Sequence, residues 1–559
     1  METRGCMNIP DQTTSNVDNI TQKVTKPVWQ SPPIDNKYNP IAYKNIKLNL
    51  NASNIKKNVK IDSAPKTPVQ EFYSGQSIFI TGGTGFLGKI LIQKLLRTCP
   101  DIATIYLLVR QKGNHNVESR LDNMFQMPIF DRLKEEVPNF RNKIVPVEAD
   151  FSVDGLGLSY NEENFLMQDV SVVFHMAASV HFKQTIKNAT MININVTRYL
   201  LDIAKNMKKL KAFIYVSTVY ANCHARHNDE RFYTYPIDHK IFLSLTDNLS
   251  EEVASKTISS VFSQWPNVYT YTKAIAESLL KEASEDIPIG IYRPASIVST
   301  ARDPIAGWVD NYYGPNGVSA FYYKGLMRFM IGDPNCTANI VPADITVNAL
   351  IATAWDVFTQ SHRRGDKTLI YNHVATNDAR LTWGEYMDYG QQSMQKYPLK
   401  NCYWMPTITL IREKLIYKIC IWLTHLLPAL LMDAVQTCRG VRESIWTFYK
   451  KIHNFSNVIH YFTTREWTYT NDNIHAMWHR LSKEDQRLLN FNMKGFDWPK
   501  YLDNHIKGLR IYLLKDDISS LEASRIRWKR LYWIHQAVRM IFTFAVLWFI
   551  WRLVTKILA

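Results

Sequence analysis

Thr81-Gly82-Gly83-Thr84-Gly85-Phe86-Leu87-Gly88 follows directly on Ser77-Ile78-Phe79-Ile80 and leads at once into Lys89-Ile90-Leu91-Ile92. The apolar run before it predicts a strand, and the apolar run after it predicts a helix. The three spaced glycines have distinct uses: Gly82 allows a tight turn, Gly85 lets the main chain approach a diphosphate, and Gly88 lets the helix pack close to the strand. Thr81, Gly83, Thr84, Phe86 and Leu87 complete the turn, and the helix N-terminus offers free N–H groups and a positive dipole to phosphates. A glycine turn also serves as a plain connector, so the rest of the chain must separate the two uses.

Further strands are predicted at Ile105–Val109, Ile144–Val147, Val170–Phe174, Ala212–Val216 and Ile289–Tyr292, with helical patterns between them. Continuous apolar strands alternating with helices predict an α/β fold, a Rossmann-type doubly wound parallel sheet covered on both faces. Ligands bind such sheets beyond the carboxyl ends of the strands. There the second strand is followed by Arg110 and Lys112, where an enzyme using NAD often carries an acidic residue. A guanidinium in that place pairs with a 2′-phosphate and favours NADPH, the plain alternative being a solvated basic loop. Asp150 ends the third strand, as an acceptor for an adenine amine or as a helix cap. After the fourth strand, His175-Met176-Ala177-Ala178 puts Ala177 and Ala178 where a cofactor lies against backbone.

The fifth strand ends in Val216-Ser217-Thr218, and some way on comes Tyr269-Thr270-Tyr271-Thr272-Lys273 in a helical pattern. The i,i+4 spacing puts Tyr269 and Lys273 on one helix face, with Tyr271 pointing elsewhere as packing. A free phenol titrates near about 10, and a neighbouring ammonium lowers that value, making tyrosine a usable proton donor. A strand-end hydroxyl, Ser217 or Thr218, then holds the reacting oxygen. Taken alone, a tyrosine four residues before a lysine is more often a surface ring stacked on a lysine stem. Its order behind the glycine turn and the hydroxyl strand end argues for chemistry.

Composition bounds the alternatives. The chain has 559 residues, 46% hydrophobic and 12% aromatic, which excludes wholesale disorder and suits two folded units plus tails. Its net charge of +16 suits nucleic acid, an anionic membrane or a polyphosphate ligand such as a nucleotide or coenzyme A. With no arginine-rich run and no zinc pattern, nucleic acid is the weakest of the three. The seven cysteines are scattered and form no C-x-x-C pair, which implies reduced cytosolic thiols and no metal site. Residues 1–70 are polar, carry no secretory signal pattern, and read as a disordered arm.

Together the glycine turn, hydroxyl strand end and tyrosine–lysine pair resemble the extended short-chain dehydrogenase/reductases. More specifically, Phe72-Tyr73, Tyr215-Val216-Ser217-Thr218, Tyr269 to Glu277 and Tyr292-Arg293-Pro294 resemble the alcohol-forming fatty acyl-CoA reductases of insect type. The likeness continues through Gly307 to Asn311, Gly314-Pro315, Val341 to Asp344, His425 to Ala429, Phe462-Thr463-Thr464, Asp497 to Tyr501 and Gly508-Leu509-Arg510. It implies an NADPH-binding reductase domain at 71–395 and a smaller, mainly helical domain of the male sterility type at 400–515. The implied reaction takes a long-chain or very-long-chain acyl-CoA to the primary fatty alcohol, releasing coenzyme A, in lipid, wax or ether-lipid metabolism. By position, the three glycines hold the diphosphate, Arg110 the adenosine phosphate, and Arg293 and Pro294 sit beside the cofactor. Tyr269 is then the proton donor, Lys273 the tuner and ribose ligand, and Ser217 or Thr218 the oxyanion partner. One departure is Val196, where family members usually carry glycine before the threonine. Rival readings are a sterol dehydrogenase, a sugar epimerase, an aldehyde-forming acyl-CoA reductase and a membrane-bound scaffold with a vestigial fold.

Beyond residue 400, Ile419–Leu423 and Leu430–Met432 are apolar but broken by His425 and Pro428, so a core or interfacial helix is expected ahead of a transmembrane one, with Leu427 and Leu430 candidates for lining an acyl tunnel. His425 reads as a satisfied core histidine. Leu531 to Trp551 is long enough to span a bilayer and carries Trp533, Trp548 and Trp551 near its edges, so a C-terminal anchor at 531–551 is expected. An amphipathic helix lying on the membrane competes, because His535, Arg539 and Thr543 share a face. Arg525, Arg527, Lys529 and Arg530 precede the span, which keeps the catalytic body cytosolic. The expected partners are acyl-CoA and membrane lipid, at the peroxisomal or endoplasmic reticulum membrane, with no metal and with a homodimer left open.

Overall fold

The computed structural model describes residues 65–110, 116–364, 368–375, 378–438 and 444–558. The expected arm therefore lies almost wholly outside the described residues, as does Lys112. The ordered fold begins a little before residue 71: helix α1 (Pro68–Tyr73) is started by Thr67, whose side chain and Gln70 form a reciprocal capping box.

Seven strands form one wholly parallel sheet: β1 (Ser77–Thr81), β2 (Thr104–Arg110), β3 (Ile144–Ala149), β4 (Val172–His175), β5 (Ala212–Val216), β6 (Ile289–Pro294) and β7 (Leu369–His373). Their order is β3-β2-β1-β4-β5-β6-β7. The chain reverses its direction of growth between β1 and β4, which is where a doubly wound sheet opens a crevice for a ligand. The six expected strands are all present. β7 is additional, its apolar signal interrupted by Asn372 and His373, which are buried and hydrogen-bonded.

Alternation along β5 assigns the two faces. Ile214 and Val357 of α5 (Ala343–Arg364) meet over Gly290 of β6, where any Cβ would lie 2.6 Å from Val357. Tyr215, the next residue, reaches the other way to α4 (Val268–Ala283). Helix α2 (Phe86–Thr98) packs beside α5 on the first face, and α3 (Val196–Lys205) beside α4 on the second. Val196, the departure from the family pattern, is buried in that second layer.

Beyond residue 400 the chain is mainly helical. Helices α6 (Lys414–Ile421) and α7 (Leu427–Cys438) continue one another through a π-turn at Trp422–Leu426, followed by α8 (Ile445–Thr463) and α9 (Trp498–Gly508). By contacts Lys66–Ala559 is a single compact unit. Its parts are held closely: a Cβ on Gly508 would lie 1.8 Å from the Gly307 carbonyl oxygen, so α9 seats backbone against backbone on the Gly307 loop. The chain ends in α10 (Leu521–Leu558), exposed at every described position from Ala537 onward.

Candidate active site

The glycine turn is as tight as its spacing predicts. Gly82 has φ +74°, and a Cβ there would stand 2.8 Å from the Ala177 nitrogen. A Cβ on Gly88 would collide with Gly82 and Gly83, so α2 starts directly on the turn. Gly85 is the N-cap and offers no side chain, leaving the first N–H groups of α2 without a capping acceptor. That bare helix start, with positive dipole and exposed glycine, fits a diphosphate. Phe86 stacks on Trp308 at 5.4 Å, and Lys89 pairs with Asp310 in the same loop.

Thr81 points inward and ties the turn to β4. Its hydroxyl oxygen accepts from the N–H groups of Met176 and Ala177, so its proton goes to His175 Nδ1, 2.7 Å away. His175 Nε2–H then donates to the Thr197 hydroxyl at 2.9 Å, which donates to the Asn193 carbonyl. Burial, with Lys273 adding to it, pushes the His175 pKa down to about 3 and keeps the ring neutral in this relay. Ala177 is buried and Ala178 half-buried behind the turn.

At the carboxyl ends of β2 and β3 lies a cleft of about 450 Å³ lined by Arg110, Ala149, Asp150, Phe151 and Met191 among others. Arg110 is exposed, its guanidinium 5.4 Å from the Phe151 ring. Arg120 reaches in from its helix, donating to the Arg110 carbonyl and, at 3.3 Å, to the Thr84 hydroxyl. Among the described residues neither guanidinium forms a salt bridge. Two cations beside the turn fit a phosphate on the adenosine side of a dinucleotide. Asp150 accepts from both the hydroxyl and the N–H of Ser152, which hold its carboxyl below the ordinary range, with Arg110 adding to the effect.

The catalytic candidates meet where α4 crosses the end of β5. Asn267 caps α4, accepting from the Thr270 N–H, and Tyr269 lies in the first turn. Its half-buried ring sits 5.8 Å from Phe182, and its hydroxyl has no hydrogen-bond partner among the described residues. Lys273 is buried. Its ammonium donates to the Tyr215 hydroxyl at 3.1 Å and the Val216 carbonyl at 2.8 Å, and stands 4.4 Å from the Tyr215 ring. Burial lowers the Lys273 pKa to about 7. The expected coupling of ammonium to phenol is therefore absent from this geometry: the ammonium rests on Tyr215, and burial alone pushes the Tyr269 phenol upward.

Two neighbouring hydroxyls divide their work. Ser217 donates to Glu277 Oε1 at 2.6 Å and is buried. Thr218 accepts from the Tyr220 N–H at 3.3 Å, and no acceptor among the described residues takes its own proton. Arg293 grips the same Glu277 with two hydrogen bonds of 2.9 and 2.6 Å and donates to the carbonyls of Asp229 and Arg231. It is fully buried, so this arginine braces the β5 and β6 ends instead of facing a cofactor, and Pro294 beside it is buried in the sheet. Glu277 was legible as the next i+4 step after Tyr269 and Lys273. Arg120 and the ring of Phe182 carry no such periodic signal.

A glycine-seated helix start, two guanidinium groups without a salt bridge among the described residues and a tyrosine–lysine pair on a doubly wound sheet define an oxidoreductase that works with a nicotinamide nucleotide. Two family models, each described as male sterility protein, match residues 80–350 and 424–516. Fatty acyl-CoA reductase wat of Drosophila melanogaster is 36% identical over 492 residues, spanning 88% of this chain and 94% of its own length. Fatty acyl-CoA reductase 2 of Homo sapiens is 32% identical over 87% of this chain and 93% of its own. The chain belongs to the fatty acyl-CoA reductase family. Among solved structures, the reductase domain of a nonribosomal peptide synthetase from Mycobacterium tuberculosis shares the fold with a TM-score of 0.52 at 18% identity, over 78% of this chain and 92% of that one. The terminal R domain of the myxalamid PKS-NRPS pathway gives 0.51 at 18% identity, over 79% and 92%.

Proposed function

We propose that this chain reduces a long-chain or very-long-chain acyl-CoA to the primary fatty alcohol with NADPH, releasing coenzyme A. The observation that carries this reading is a Tyr269 hydroxyl with no hydrogen-bond partner among the described residues, one helical turn before buried Lys273, with the Thr218 hydroxyl, whose proton meets no acceptor among those residues, at the adjoining strand end. Arg110 and Arg120 beside Thr84 favour the 2′-phosphorylated nucleotide.

A reduced nicotinamide, when bound, would supply one hydride in each of two reductions, a second molecule of NADPH replacing the spent NADP+ between them. In the first, Thr218 and Tyr269 donate hydrogen bonds to the thioester oxygen as negative charge grows on it. Collapse of that tetrahedral centre breaks the carbon–sulfur bond, and coenzyme A leaves as thiolate and takes a proton from solvent. In the second, Tyr269 gives its proton to the alkoxide, and water restores it. A phenol raised by burial is suited to remain protonated until an alkoxide forms. Lys273 supplies positive potential at the end of β5.

We infer that α10 anchors the enzyme through 531–551, with the catalytic body cytosolic on the side of Arg525, Arg527, Lys529 and Arg530, at the peroxisomal or endoplasmic reticulum membrane. The exposed stretch from Ala537 to Leu558 is about 33 Å long, close to the thickness of a hydrocarbon core. Retention of the full chain in the membrane pellet after alkaline carbonate supports the anchor, and release into the supernatant contradicts it. For the activity, purified full-length protein is given a series of acyl-CoAs with NADPH or NADH and the products are identified. Fatty alcohol formed preferentially with NADPH supports the assignment. Failure to oxidise either nucleotide with any acyl-CoA contradicts it.

A further inference from the structure

Helices α6 and α7 form one rod whose two faces differ sharply. Tyr417, Ile421, His425 and Ala429, each four residues on from the last, are buried. Arg328 donates to His425 Nε2 at 3.0 Å, His425 Nδ1–H donates to His453 Nε2 at 3.2 Å, and His453 Nδ1–H donates to the Tyr417 hydroxyl at 3.0 Å. The inward face is thus pinned to α8 and to the body by a closed polar chain. The outward face is apolar and bare: Leu415, Ile419, Trp422, Leu423, Leu430 and Leu431 are each between 49% and 71% exposed. Lys418 is the one charged residue from Leu415 to Met432. Leu427, 40% exposed, and Leu430 therefore face outward and line no tunnel. A continuous apolar stripe of this length marks a surface that is covered in use.

The position of the rod identifies the cover. Arg328 donates to His425 and to the Thr424 carbonyl, and its guanidinium also lies 5.8 Å from the Trp404 ring. Trp404 donates from Nε1 to His535 Nδ1 of α10 at 3.1 Å, just before α10 becomes exposed on all sides. One arginine and one tryptophan thus tie the bare stripe to the root of the anchor. Exposed Lys414, Lys418, Lys450, Lys451, Lys529 and Arg530 lie on α6, α8 and the root of α10, and would repel a second copy but attract anionic headgroups. Trp422 and Trp446, with rings 5.8 Å apart, are interfacial residues by type.

We propose that the outward face of α6–α7 lies in the plane of an anionic bilayer surface, beside the point where α10 enters it, as a second, non-spanning membrane contact. This rests on the reading of α10 as an anchor. It also gives α8 a place between membrane and chemistry. The helix leaves His453 under the rod and ends near Phe462, whose ring is 6.3 Å from Phe182, itself 5.8 Å from Tyr269.

The test uses the full chain reconstituted in phosphatidylcholine–phosphatidylserine vesicles containing a phospholipid with a diazirine in its acyl chain. After photolysis, the labelled residues are mapped. Labels on the outward positions of α6–α7 as well as on α10 are expected, with Tyr417, Ile421 and Ala429 unlabelled. In the Leu423→Glu, Leu430→Glu variant the α6–α7 labels are expected to fall to background while those on α10 stay. Labels on α10 alone overturn the second contact and leave the anchor standing. Labels on neither helix overturn both. Equal labelling of inward and outward positions means that the rod leaves the body and spans, which overturns an in-plane contact.

Discussion

Lys273 holds its ammonium 3.1 Å from the Tyr215 hydroxyl, one helical turn beyond the phenol of Tyr269 that its spacing would suggest as its partner. The hydroxyl of Tyr215 and the carbonyl of Val216 give a buried charge its only two hydrogen bonds among the described residues. Burial dominates the outcome, and the lysine loses affinity for its proton.

That cost is visible as a pH dependence. With a folded pKa of about 7 against the ordinary 10.5, the unfolded chain binds the extra proton between these values. Stability contributed by this residue therefore rises with pH across that window and is lowest below it. Lys273→Met removes the titration, so its melting temperature relative to the native chain is expected to be most favourable near about pH 6 and to worsen towards about pH 9. Thermal unfolding of both proteins without nucleotide checks this; a difference independent of pH contradicts it.

Ser217 and Thr218 are expected to separate stability from rate. Thr218→Val removes the hydroxyl proposed to hold the reacting oxygen and is expected to lower kcat by about 100- to 1000-fold, with a stability loss no larger than about 1 kcal/mol from the cap it gives the Tyr220 N–H. Ser217→Ala removes one donor to a buried carboxylate, costing about 1–3 kcal/mol of stability with a much smaller loss of rate. Measuring kcat and the denaturation midpoint for both variants decides which hydroxyl does which.

Glu277 and Arg293 form a sealed pair, with side chains 0% and 1% exposed. Glu277→Gln leaves the guanidinium without its countercharge and is expected to destabilise the fold by roughly 3–5 kcal/mol. Denaturant unfolding reads this directly. An unchanged midpoint with activity lost would transfer Glu277 from bracing to chemistry.

Arg120 touches Thr84 in the glycine turn while its neighbour Arg110 stacks over Phe151. Arg120→Ala is expected to raise KM for NADPH about 10- to 100-fold, the worth of a charge-assisted contact, and to leave KM for NADH unchanged. Initial rates with the two nucleotides check it; equal changes for both contradict a role in reading the 2′-phosphate.

Much of this was legible in the chain itself. Strand, glycine turn and helix around Gly82 and Gly88 follow from local pattern, because backbone sterics allow little else there. The common face of Tyr269 and Lys273 follows from helical spacing, and carrying that spacing one step further reaches Glu277. Orientation across elements was not legible. Nothing local says that Ser217 turns to Glu277 while Thr218 does not, or that Arg293 is enclosed by the carbonyls of Asp229 and Arg231. β7 lacks a clean apolar pattern because Asn372 is held there by donating from its side-chain amide to the carbonyls of Asn228 and Thr470, distant in sequence. In sequence the α6–α7 stretch reads as too short for a clean span, because His425 and Pro428 interrupt its apolar run. A π-turn ending at Leu426 carries the helix past that proline.

The most direct measurement is product formation by Tyr269→Phe in the purified full-length protein supplied with acyl-CoA and NADPH. The phenol is the proton donor in this account, so alcohol formation is expected to fall by about 100- to 10,000-fold while the circular dichroism spectrum, melting temperature and NADPH affinity stay as in the native chain. Fatty alcohol produced at the native rate by a folded Tyr269→Phe protein would contradict it.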